Sequence, residues 1–87
     1  IEKGSADAAN NLACLFQDQK KYELAEKYYT MAINKNDIDA MNNLAIMYKK
    51  QEKYELAEKY YLMAIDKNNV SAMKNLAYMY ENQEKYE

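Results

Sequence analysis

Three asparagines, Asn11, Asn43 and Asn75, stand 32 residues apart, each directly before a leucine, Leu12, Leu44 or Leu76. A carboxamide both donates and accepts hydrogen bonds. Amides repeated at a fixed spacing can therefore grip the main chain of an extended segment without reading its side chains. Other chemistries lack their parts. The chain has no histidine, one cysteine and one glycine, so nucleophile–base pairs, zinc sites and glycine-rich phosphate cradles cannot be assembled. The expectation is no enzyme, no cofactor and no metal. Glu23, Glu26, Glu55 and Glu58 read as the solvated face of a helix. Tyr28, Tyr29, Tyr60 and Tyr61 lie at helical spacing beside small alanines and read as core rather than as a stacking platform. Met31, Met41, Met63 and Met73 read the same way. Cys14 has Ile46 and Tyr78 at the equivalent places of the following copies, which marks a semi-apolar position rather than a reactive thiol.

The elements that must position these residues are repeated. Lys21–Ile33, KYELAEKYYTMAI, returns as KYELAEKYYLMAI at Lys53–Ile65, and Ser5–Asn36 matches Asp37–Asn68 at 21 of 32 positions. Stacked copies ease the limit on core size that an 87-residue chain would otherwise meet. Charged residues are 30% of the chain and the net charge is −2, with lysine and no arginine, so the basic footprint of a nucleic-acid binder is missing. No apolar run is long enough to span a bilayer, and no signal-peptide pattern opens the chain. With a single cysteine, these features lead to the expectation of a cytoplasmic location, no membrane partner and no nucleic-acid partner.

Within one copy, Ala40, Met41, Leu44, Ala45, Met47 and Tyr48 fall at helical spacing between Asp37 and Lys50, and Tyr54, Ala57, Tyr60, Tyr61, Ala64 and Ile65 do so between Tyr54 and Lys67. Each copy therefore predicts a leading and a trailing helix. A strand reading fails for want of alternation, and Ala, Leu, Met, Glu and Lys favour helix. With no proline, the breaks fall to Gly4, Asn36 and Asn68, residues suited to the left-handed conformation that ends a helix. Ser5, Asp37 and Asn69 follow as N-caps.

The segment NLAIMYKKQEKYELAEKYYLMAI resembles the tetratricopeptide repeat. Leu44, Ala45 and Tyr48 match the signature of its leading helix, and Tyr54, Ala57, Tyr61 and Ala64 that of its trailing helix. The period is 32 rather than about 34. The closing proline is replaced by Asp37 or Asn69, and the glycine of the internal turn by Lys20, Glu52 and Glu84. With three copies lacking that glycine, the turn is expected to have re-formed with negative φ. Sel1-like and pentatricopeptide repeats are longer, and the former are richer in glycine. The resemblance implies an all-α fold, an α-solenoid of antiparallel helix-turn-helix repeats forming a right-handed superhelix. It divides the chain into 1–4 as the tail of a preceding repeat, repeats over 5–36 and 37–68, and a partial repeat over 69–87.

The resemblance also implies that the leading helices line a concave groove where peptide partners bind. The positions that differ between copies belong to that surface: Cys14, Ile46 and Tyr78; Gln17, Lys49 and Glu81; Asp18, Lys50 and Asn82. The candidate peptide-binding residues are Asn11, Asn43 and Asn75 with Asn10, Asn42, Lys74, Cys14, Ile46, Tyr78, Lys49 and Lys50. The three lysines favour an acidic stretch in the ligand. The alternative for the asparagines is that they bond a neighbouring helix or face water. A carboxylate clamp for a chain terminus is met only at Asn43 and Lys74, since Asn10, Cys14 and Tyr78 stand where lysine, asparagine and a basic residue would be required. The expected partner is a protein or peptide. The alternatives are a structural spacer or self-associating solenoid, and a substrate-recruiting accessory domain of a larger enzyme. Leu76, Ala77 and Tyr80 are expected to be exposed on the third leading helix, which would then fray over 72–87 or associate end to end with another copy.

Overall fold

The computed structural model describes the backbone of residues 2–85 and the side chains of residues 4–83. Ile1, assigned above to the tail of a preceding repeat, and Tyr86 and Glu87, assigned to the partial third repeat, lie outside the described residues. Five helices follow one another: α1 (Glu2–Asp18), α2 (Tyr22–Asn34), α3 (Ile38–Lys50), α4 (Tyr54–Asp66) and α5 (Val70–Lys85). There is no strand among the described residues, and no helix is long and apolar enough to cross a membrane. The fold is an all-α helical-repeat solenoid.

Four turns of one design join the helices. Lys20, Asn36, Glu52 and Asn68 all have positive φ, between 62° and 67°. At each, the left-handed residue donates its N–H to the carbonyl three back, and the next residue donates to the carbonyl five back. Examples are Glu52 to Lys49 and Lys53 to Tyr48, both at 2.9 Å, and Asn68 to Ile65 at 2.8 Å with Asn69 to Ala64 at 3.0 Å. This pair of bonds satisfies carbonyls that a helix end would otherwise leave open. Asp37 and Asn69 then cap the next helix, their Oδ1 atoms accepting from the N–H of Ala40 at 2.9 Å and of Ala72 at 2.7 Å.

Three expectations about the turns are corrected. Glu52 is not at negative φ, and neither is Lys20: a connector of three residues reverses the chain here through a left-handed residue, and the two closing bonds offset its strain. Glu84 is no turn residue but lies inside α5. Gly4 and Ser5 likewise do not break the chain, because α1 runs through both.

The helices pack as pairs, α1 on α2 and α3 on α4, with α5 against α4. Ala13, Ala25, Ala32, Ala45, Ala57 and Ala64 are fully buried, small enough to let helix backbones approach closely. Tyr29 and Tyr61 fill the space between them. α3, covered on both sides, buries Ala40, Met41, Leu44, Ala45, Met47 and Tyr48. Phe16 stacks on Tyr28 at 5.6 Å between ring centroids, and the equivalent Tyr48 meets Tyr60 at 5.7 Å.

The core assignment fails at Met31 and Met73, which are 42% and 45% exposed. Met31 lies on α2, and α2 does not touch α4. Met73 occupies the place of the buried Met41, but among the described residues no helix covers it as α5 covers α3. Leu76, expected to be exposed, is only 6% exposed because α5 turns that side toward the stack. Ala77 and Tyr80 are exposed as expected.

Candidate functional site

The leading helices form one layer: α1 touches α3 and α3 touches α5, whereas α2 and α4 do not meet. A stack whose leading helices lie closer together than its trailing ones curves toward the leading side. Asn10, Asn11, Cys14, Asn42, Asn43, Ile46, Lys49, Lys50, Lys74, Asn75 and Tyr78 all belong to that layer.

Within it the asparagines are not three equal rungs. Asn43 Nδ2 donates to Asn10 Oδ1 at 3.2 Å, and Asn75 Nδ2 donates to Asn42 Oδ1 at 3.2 Å. Each bond crosses from one leading helix to the next and steps 33 residues, pairing the two adjacent amide positions of successive copies. All four side chains are half-buried, and Asn11 lies exposed. Of the two alternatives for Asn43 and Asn75, a bond to a neighbouring helix accounts for one N–H of each amide. The second N–H of Asn75 Nδ2 remains beyond that bond, that of Asn43 Nδ2 has only the long contact to Cys14 Sγ at 3.9 Å, and acceptor capacity remains on the oxygens.

Behind this row the first two repeats differ. Asn43 Nδ2 also reaches Cys14 Sγ at 3.9 Å, Cys14 Sγ lies 3.3 Å from the Tyr29 hydroxyl, and that hydroxyl donates to Gln17 Oε1 at 2.7 Å. A polar chain thus runs from the surface amide to a fully buried ring. One repeat later, Ile46 and Lys49 stand in place of Cys14 and Gln17, and the Tyr61 hydroxyl is buried without a hydrogen-bond partner among the described residues. Burial, then the bond with Cys14, lifts the Tyr29 phenol well above its ordinary pKa, and burial alone lifts Tyr61. Both remain neutral hydroxyls at neutral pH, able to donate.

The three lysines differ in exposure. Lys49 is half-buried with its ammonium 5.9 Å from the centroid of the Tyr78 ring, while Lys50 and Lys74 are exposed. Tyr78 is itself 60% exposed.

Two carboxylates read as solvated have a definite task. Glu26 accepts from the Tyr48 hydroxyl and Glu58 from the Tyr80 hydroxyl, each tying a trailing helix to the leading helix of the next repeat. The signal lay in the sequence, since both Glu26/Glu58 and Tyr48/Tyr80 recur at 32 residues while Phe16, before the first trailing helix, lacks the hydroxyl. Glu23 and Glu55 do face solvent.

A family model for the tetratricopeptide repeat matches residues 5–35 and again residues 38–68. The comparison with curated proteins gives no match.

Proposed function

Because this chain belongs to the tetratricopeptide-repeat family, whose repeats generally mediate protein–protein interaction and are typically non-catalytic, we propose that its leading-helix face binds an extended peptide segment of a partner protein. The observation that carries the reading is the row of half-buried amides, Asn10 with Asn43 and Asn42 with Asn75, on the inner side of the stack. Each pair is held in place by its own bond and keeps donors and acceptors for a main chain laid across it. The side chains that differ between copies, Cys14, Ile46, Tyr78, Lys49 and Lys50, surround that row and supply selectivity.

A displayed library of random peptides, selected on the intact chain, tests this. Extended binders are expected, and replacing Asn43 and Asn75 together by Ala should weaken them by about 1–3 kcal/mol. Because both amides also join neighbouring helices, the variant's thermal melt is recorded alongside. Failure to select any peptide, or unchanged affinity in a folded double variant, rejects the reading. A second reading, self-association, is favoured by one observation: Ala77, whose counterparts Ala13 and Ala45 are fully buried, is open on α5 beside Tyr80. Concentration-dependent sedimentation would support it.

A further inference from the structure

The hydroxyl of Tyr61 is an unmet demand at the heart of the second repeat. Its ring is fully buried and its oxygen has no hydrogen-bond partner among the described residues, whereas buried polar groups are nearly always hydrogen-bonded. At the equivalent Tyr29 the need is met from the leading-helix face, by Gln17 with Cys14 beside it. The corresponding approach to Tyr61 runs past Ile46 and Lys49. An aliphatic side chain and an ammonium can accept nothing, so the acceptor must come from outside this pair of positions.

We propose that the leading-helix face of the second repeat holds a seat for one acidic side chain of a bound segment, opened by side-chain movement over the covered Tyr61 oxygen, whose carboxylate accepts from the Tyr61 hydroxyl and pairs with Lys49. The proposal rests on reading that face as a peptide groove. Lys49 stands half-buried over the open ring of Tyr78, a weak contact that a carboxylate can displace or share. Lys50 follows it and adds charge of the same sign. A carboxylate has oxygens for both the hydroxyl and the ammonium, and charge-assisted bonds are the stronger kind. A neutral amide would satisfy Tyr61 and leave Lys49 unanswered. The first repeat has no such seat. There Gln17 already occupies the approach, and Asp18, in the place of Lys50, repels a carboxylate. The surface therefore reads acidity at one repeat and not at its twin.

The seat is tested with acetate, a side-chain mimic, added to the intact chain at constant ionic strength against chloride while the tyrosine ring signals are followed by NMR. A saturable shift at Tyr61, absent at Tyr29 and lost in Lys49→Gln, is expected. No shift at Tyr61, or equal shifts at both rings, overturns the proposal. Lys49→Gln also gives Tyr61 the acceptor that Gln17 gives Tyr29, so it should melt higher than the parent chain, and a lower melt counts against the seat. Peptides selected from the random library should prefer Glu over Gln at one position by about tenfold, falling to parity on Lys49→Gln. Binders with no acidic preference overturn the seat, while a library without binders strikes the groove reading and leaves acetate to decide the seat.

Discussion

Tyr29 and Tyr61 occupy the same place in two helix pairs whose turns agree within a few degrees, with φ of 62° and 63° at Lys20 and Glu52. One hydroxyl ends a polar chain through Gln17, Cys14 and Asn43, and the other meets no hydrogen-bond partner among the described residues. Backbone and ring packing are thus copied between repeats, while polar satisfaction is not. The difference arises at the leading-helix positions that vary: Cys14 against Ile46, and Gln17 against Lys49. A repeat protein can keep its scaffold uniform and place its chemistry in the side chains that the scaffold does not need. The same division appears between the junctions. Asn43 bonds both Asn10 and Cys14, but among the described residues Asn75 Nδ2 bonds Asn42 alone, because Ile46 replaces the sulfur.

The sharpest way to break the comparison is to delete each hydroxyl. Tyr61→Phe should raise stability by about 1–3 kcal/mol, the penalty of a buried group without a partner, whereas Tyr29→Phe should lower it by about 1 kcal/mol. Urea denaturation of the two variants checks this, and changes of the same sign would show that the two sites are alike after all. The turns provide a contrast in which the repeats should agree. A side chain at left-handed φ costs about 1–2 kcal/mol, and glycine gives back about 0.5–1 kcal/mol through the unfolded chain's entropy. Lys20→Gly and Glu52→Gly should therefore each stabilise by about 0.5–1 kcal/mol, and to the same extent. Thermal melts that separate them would mean the two connectors differ in strain. The smallest effect concerns the junctions. Asn43→Ala should cost about 0.5 kcal/mol more than Asn75→Ala, one weak bond to sulfur being the difference. Equal costs in chemical denaturation would remove the sulfur from the account.

Five helices, their order and most of their inward faces were legible in the chain alone, because the 32-residue repeat and the helical spacing of Ala, Leu, Met and Tyr both report local periodicity. The caps at Asp37 and Asn69 and the left-handed Asn36 and Asn68 were legible for the same reason: a cap is a contact between residues three or four apart. The family was readable from Leu44, Ala45, Tyr48, Ala57, Tyr61 and Ala64. What tertiary structure decided lies across helices. Glu52 and Lys20 take a conformation that their side chains disfavour, since the packing of neighbouring helices leaves a three-residue connector to reverse the chain between them. Met73 is open where Met41 is closed, because burial depends on which helix comes next rather than on the residue. The pairing of Asn43 with Asn10 rather than with Asn11 follows from the offset between stacked leading helices, and so does the reach of Tyr48 to Glu26. The missing partner of Tyr61 is the clearest case. Its tyrosine is spelled in the repeat, but that no described residue answers its hydroxyl emerges only when Ile46 and Lys49 are brought to the place where Cys14 and Gln17 stood.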